Sequence, residues 1–170
     1  MRKTITVPEL YIGFSALVSI SGQLPLGDTT GIDTPGQLWD KFHKEKNEIK
    51  ELVSNGTEFA ASSFSENENA PFTYFAGAAA ALGTLAHNGL VTFELPAAEY
   101  IVCSFEAESS EELTTSALNK SMNYLYGTWL AKHSFSAQPF SAEKYIRVNP
   151  EICKMELWVI PVPVTESESR

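Results

Sequence analysis

At 170 residues, 44% of them hydrophobic, the chain is long enough to bury a core without staples and too apolar to be disordered. Asp and Glu number 21 against 12 Lys and Arg, a formal net charge of −9, and the cations are scattered without a basic stripe, which argues against a phosphate-backbone binder. Cys103 and Cys153 are the only cysteines, the first residues lack a signal-peptide core, and no apolar run approaches the roughly 18 residues of a membrane helix. A disulfide framework, an exported leader and a membrane span are therefore not expected, and the cytoplasm is the expected location.

Val7 to Ile20 is rich in β-formers and predicts a long strand, followed by a loop over Gly22 to Gly31. Thr34 is a good N-cap, Pro35 suits a first helical position and Gln37 completes a capping box. Leu38, Phe42, Ile49, Leu52 and Val53 then recur near helical spacing, with Asn55-Gly56 as the stop. Thr57 to Ser65 and Phe72 to Ala80 predict a hairpin across a polar turn, and Ala81 to Leu90 is a connector.

Thr92 to Glu106 reads as a second long strand interrupted at Pro96, and Glu108 to Glu112 as an acidic loop. A second helix is predicted from about Thr114 to Lys132, with Leu118, Met122, Leu125 and Trp129 as its apolar stripe. Glu111 and Glu112 ahead of it and Lys132 at its end suit the helix dipole. Glu143 to Val148 and Met155 to Val162 predict a second hairpin, and Thr165 to Arg170 a frayed tail.

The order is strand-helix-strand-strand, twice. Pro8 to Tyr11 recurs as Pro96 to Tyr100 and Trp39 recurs as Trp129, both at offsets of about 90 residues, which favours duplication. The expected fold class is α+β: duplicated βαββ modules about a pseudo-twofold axis, an antiparallel sheet, two main helices and a central groove. The whole chain, 1–170, reads as a single domain. Its first half covers 1–90, its second half 91–164, and its tail 165–170.

Several segments, in order, resemble gyrase-inhibitor-like effector-binding domains. Leu95-Pro96-Ala97-Ala98-Glu99-Tyr100-Ile101-Val102 resembles the family's "pagkYavf" strand, and Tyr126-Gly127-Thr128-Trp129-Leu130 the end of its second helix. Glu143-Lys144-Tyr145 resembles its "E-x-Y" strand, and Glu156-Leu157-Trp158-Val159-Ile160-Pro161-Val162 its closing "E-I-W-I-P-V" strand. Phe72-Thr73-Tyr74-Phe75-Ala76-Gly77 resembles the "Y-x-A-G" strand of the first half. The family includes sensor domains of AraC- and MerR-type transcription regulators and stand-alone proteins. With no helix-turn-helix ahead of the first strand, this chain is most similar to the stand-alone, integron-associated members that bind cationic drugs. One residue more than the usual pattern separates Glu156 from Pro161, which suggests a bulge and leaves the facing of Trp158 open.

The resemblance implies ligand-binding residues. Glu143 matches the family's pocket acid, which meets the positive charge of the ligand. Strand alternation sets Glu143, Tyr145 and Arg147 on one face, and Lys144, Ile146 and Val148 on the other. The alternative for Glu143 is a surface carboxylate paired with Arg147. Trp158 matches an aromatic pocket position or is an ordinary core residue. Tyr74 is its counterpart by pseudo-symmetry, and Tyr145 either joins the site or bonds across the sheet. Trp39 is a further candidate, with core packing its favoured reading. A carboxylate among aromatic rings attracts a flat cation through both charge and quadrupole.

His43, His87 and His133 have no metal-ligand spacing, and no nucleophile elbow or phosphate loop occurs, so no catalytic set, metal or cofactor is expected. The resemblance implies a stand-alone binding protein for cationic amphipathic compounds, more readily than an enzyme. Two alternatives stand beside it. One is a hydrolase of small electrophilic compounds, with Glu143 as base and Tyr145 or Tyr74 as donor. The other is a gyrase-inhibitor-like protein-interaction factor. The expected partner is a small organic ligand, cationic and aromatic, together with a homodimer mate or a separate regulatory protein. Neither nucleic acid nor membrane is expected to bind directly.

Overall fold

The computed structural model describes residues 1–18, 34–65, 70–109, 117–147 and 153–164. The expected loop over Gly22 to Gly31, most of the polar turn after Ser65, the helix start near Thr114, Val148 and the tail from Thr165 lie outside the described residues. So does the side chain of Arg147.

Strand β1 (Arg2–Ile5) is followed by β2 (Glu9–Val18), α1 (Thr34–Glu45), β3 (Glu58–Ser63), β4 (Phe72–Ala80) and β5 (Val91–Leu95). Then come β6 (Ala98–Ala107), helix α2 over 118–132, β7 (Phe135–Ala137), β8 (Phe140–Arg147), β9 (Cys153–Val159) and β10 (Pro161–Pro163). The fold is α+β, and both expected hairpins pair antiparallel. The chain forms two compact units, Ile5–Ala97 on one side and Met1–Thr4 with Ala98–Arg170 on the other.

In the unit Ile5–Ala97 the strands run in the order β3-β4-β2-β5. Register places Ile12, Phe14, Tyr74, Ala76 and Ala60 on one face, and α1 lies there. Leu38 and Phe42 of α1 are buried, and the Lys41 ammonium sits 4.4 Å from the Phe14 ring centre. The other face carries aromatic rings. Tyr11 stacks on Phe59 at 3.7 Å, and Phe93 approaches Phe59 and Phe75 at 5.4 and 5.7 Å.

Where the apolar spacing points to a helix reaching Asn55-Gly56, α1 ends at Glu45. The stripe is interrupted there: positions 45 and 46, which would continue the face of Leu38 and Phe42, are Glu45 and Lys46. A single 3-10 turn follows, and Ile49 is already extended. The remaining apolar residues serve the sheet instead. Leu52 bridges to Ala80, and the Val53 N–H donates to the Ala79 carbonyl at 2.9 Å. Asn55 takes a left-handed conformation, as a turn residue of this type tolerates.

In the other unit the order is β1-β6-β9-β8, with β10 and β7 as a separate two-stranded pair. Helix α2 opens with an α-helical stretch (Leu118–Tyr124), continues as a π-helix (Leu125–Trp129) and closes with Leu130–Lys132. Its stripe faces the sheet as its spacing predicts. Met122 and Leu125 are buried, and Leu118 packs on the cluster of Met155 and Ala107. The extra residue before Pro161 is no bulge. Ile160 stands between β9 and β10, where the chain leaves the larger sheet to pair with β7.

Each unit repeats the same plan. The first strand of each βαββ set lies beside the third, and the second lies outside it, as β2-β4-β3 and β6-β9-β8. A fourth strand is appended at the same edge, β5 beside β2 and β1 beside β6. Both added strands are exchanged. β1 runs directly into β2 through Pro8 yet belongs with β6, and β5 runs into β6 through Pro96 yet pairs with β2. The compact units divide at Ala97/Ala98, and Met1–Thr4 joins the later one. A proline without an N–H suits a break between consecutive strands that pair with different neighbours.

Candidate ligand site

Glu143 is buried, 4% exposed, on the face of β8 that carries α2. Register sets it opposite Leu157 on β9, with Tyr145 opposite Met155, so these four side chains share one face. Leu118 of α2 packs on the Met155 cluster, which includes Tyr145, and this fixes that face as the helix side. The Tyr145 phenol donates to Glu143 Oε2 at 2.5 Å. Among the described residues no Lys, Arg or His makes an ion pair with Glu143.

Burial pushes the Glu143 carboxyl above the usual carboxylate range, and the Tyr145 hydrogen bond opposes this only in part. Tyr126 of α2 is pushed up to about 12, chiefly by its own burial. The nearby Ser141 hydroxyl pulls the other way, and the Glu143 charge adds a smaller rise. The result is a carboxyl under a helix, ringed by Tyr126, Tyr145 and Leu157, with no cationic partner among the described residues.

Trp158 lies on the opposite face. It pairs across the strands with Ala142 and Val102, whereas Glu143 pairs with Leu157. Its ring meets Tyr100 edge-on at 5.3 Å. Lys144 Nζ stands 3.9 Å and Lys3 Nζ 5.3 Å from its ring centre, so two ammonium groups of the chain already occupy its π-faces. On the same face Glu156, also buried, is neutralised by Lys3 at 3.1 Å.

The remaining candidates sit in the unit Ile5–Ala97. Trp39 Nε1 donates to the Tyr74 hydroxyl at 2.8 Å, which pins α1 to β4. Trp39 is half-buried and meets Phe42 edge-on at 5.8 Å. The structure thus brings Glu143 to Tyr145 and Trp39 to Tyr74. It does not bring Trp158 to Glu143. The residue missing from the candidate set is Tyr126. Its spacing from Met122 and Trp129 (i+4 and i−3) places it on the sheet-facing side of α2, a signal present in the sequence.

Residues 20–162 match the family described as integron-associated effector binding protein. The chain belongs to that family. Binding of a small-molecule effector is accordingly its general role. No curated protein matches the chain. Among solved structures, an integron cassette protein from the mobile metagenome of Vibrio cholerae is 15% identical with a TM-score of 0.68, over 95% of each chain. The C-terminal domain of EcmrR is 12% identical with a TM-score of 0.63, covering 96% of this chain and 97% of that one. SAV2435, solved bound to tetraphenylphosphonium, is 11% identical with a TM-score of 0.63, covering 100% and 96%. At these identities the likeness is one of fold. Among the described residues no helix is long and apolar enough to cross a membrane, and no group of acidic, His or Cys side chains is arranged to hold a metal.

Proposed function

We propose that this family member binds an organic cation at Glu143. The observation that carries the reading is a buried carboxyl whose one hydrogen-bond donor is Tyr145 and which has no basic partner among the described residues. An empty site of this kind favours the neutral acid, and a bound cation stabilises the carboxylate. Tyr126 and Tyr145 supply rings beside that charge. The bound tetraphenylphosphonium in SAV2435 supports the choice of ligand class. Because Glu143 is covered, α2 must shift for a ligand to reach it, and association should be slower than docking to an open surface.

The test is a pair of titrations on wild type and Glu143→Gln, one with tetraphenylphosphonium and one with the neutral triphenylphosphine oxide. A carboxylate and a cation about 4 Å apart attract by about 4 kcal/mol at an effective dielectric of 20, and desolvation offsets part of it. The substitution should weaken the cation about 10- to 150-fold and the neutral compound far less. Equal loss for both would mean that Glu143 shapes the site without reading charge.

The 2.5 Å Tyr145–Glu143 bond also suits general acid–base work, which favours hydrolysis of a small electrophile as the second reading. Turnover of such a compound by wild type, abolished in Glu143→Gln, would select it.

A further inference from the structure

A concavity lies in the same unit at the β6 side of α2. It has a volume of about 340 Å³, and its lining includes Met1, Ile101, Cys103, Tyr124, Leu125 and Trp129. None of these side chains is charged, and the one charge at the lining, the Met1 ammonium, donates to the Val102 carbonyl at 3.1 Å. Cys103 faces Leu157 across β9, and Leu157 faces Glu143 across β8, so two strand spacings, roughly 10 Å, separate the pocket from the carboxyl. Leu157 is fully buried between them. The pocket and the Glu143 site are therefore distinct, on the two sides of one helix.

The π-helical stretch Leu125–Trp129 makes this arrangement. Leu125 and Trp129 line the pocket, while Tyr126 between them lies within reach of Ser141 and the Glu143 charge. A π-helix packs its hydrogen bonds less well than an α-helix and persists where it serves a site. The Trp129 ring is stacked on His133 at 4.0 Å, and His133 Nδ1 lies 2.8 Å from the Trp129 carbonyl, so the ring is held in place at the pocket wall. Burial raises the Cys103 thiol, which is thus mainly neutral and soft at pH 7.

We propose that this edge pocket is a second small-molecule site, for a neutral fused-ring aromatic of about the size of indole or naphthalene. The volume is at the lower end of small-molecule pockets, which suits one or two rings. The lining side chains carry no charge to offset the desolvation of an ion, and the Met1 ammonium is engaged by the Val102 carbonyl at 3.1 Å, while Trp129 and Cys103 offer ring and sulfur contacts.

Cys103 provides a reporter and Cys153 an internal control, since Cys153 packs with the Met155 cluster, away from the pocket. The experiment follows alkylation of each cysteine by N-ethylmaleimide at pH 8.5 by peptide mass spectrometry, with and without indole or 2-naphthol. Occupancy should slow Cys103 at least fivefold and leave Cys153 unchanged. Trp129→Ala should abolish the protection, and Glu143→Gln should retain it. Protection of both cysteines alike, which would report general stabilisation, or of neither, overturns the proposal. So does loss of protection in Glu143→Gln. If Trp129→Ala fails to fold, Leu125→Met, which keeps the core volume while reshaping the wall, should change the indole affinity at least threefold. An unchanged affinity there also overturns it.

Discussion

Glu143 and Glu156 are both buried on paired strands of one sheet, and they point to opposite faces. Glu156, opposite Lys144, is held by the Lys3 ammonium at 3.1 Å and by the Ser104 hydroxyl at 3.5 Å. Glu143, opposite Leu157, has a phenol and, among the described residues, no cationic partner. One acid is therefore part of the structure's own charge balance, and the other has no such partner there. That asymmetry is the reason the proposed cation site is Glu143 rather than Glu156.

Glu143 should cost the empty protein stability as pH rises. Its folded pKa is raised, so above its ordinary value of 4.5 the folded state holds more protons than the unfolded one. The contribution is fully present below that value and is lost as pH climbs through the raised pKa. Glu143→Gln should remove this dependence and be more stable than wild type at pH 8, by about 1–3 kcal/mol, with little difference near pH 4. Thermal or urea unfolding at both pH values checks the sign.

Cation affinity should carry the same proton linkage. A permanently charged ligand such as tetraphenylphosphonium competes with a proton for Glu143, so its affinity should rise with pH until the raised pKa is passed and then level off. Below that pKa the gain should approach tenfold per pH unit. In Glu143→Gln the profile should be flat. Titrations at pH 5.5, 7 and 8.5 distinguish the two.

Tyr145→Phe should leave the fold intact and raise the Glu143 pKa further, because it removes the one hydrogen bond that lowers it. Hydrogen bonds to charged groups contribute roughly 1.5–3 kcal/mol, so cation binding at pH 7 should weaken by about 10-fold or somewhat more. The loss should shrink at higher pH. A loss independent of pH would mean that the ring, and not the hydroxyl, supports the ligand.

Lys3→Met should leave Glu156 buried without its cation. The pair is half open on the lysine side, at 39% exposure, which reduces the effect below that of a sealed ion pair. A destabilisation of about 1–2 kcal/mol in urea is expected, largely recovered in the double variant with Glu156→Gln. Binding at Glu143, on the other face, should be unchanged in both.

Gly77→Ala should be more damaging than its size suggests. Gly77 and Gly13 are paired on β4 and β2, and an added Cβ at Gly77 would fall 2.2 Å from the Ile12 carbonyl oxygen and 2.9 Å from the Phe75 ring. The strands must separate to admit it. A loss of about 3 kcal/mol, read from chemical denaturation, is expected.

Much of the fold is written in local pattern. The βαββ order, both hairpins, the α2 stripe and the shared face of Glu143 and Tyr145 follow from periodicity and strand alternation, which are properties of neighbouring residues. The family follows too, because short segments such as Glu143-Lys144-Tyr145 keep their order along the chain. What tertiary structure alone decided depends on partners distant in sequence. Arg2–Ile5 becomes a strand only because β6 is there to pair with it, and β5 changes sides by pairing with β2. Beyond the end of α1 at Glu45, where its stripe is interrupted, Leu52 and Val53 join the sheet because Ala80 and Ala79 are there to pair with them. The face of Trp158 was set by the β8–β9 and β6–β9 registers, and a register shift of one residue would have turned it toward Glu143. The burial that raises the Glu143 carboxyl comes from side chains brought in by α2 and β9. No spacing within β8 could have specified it.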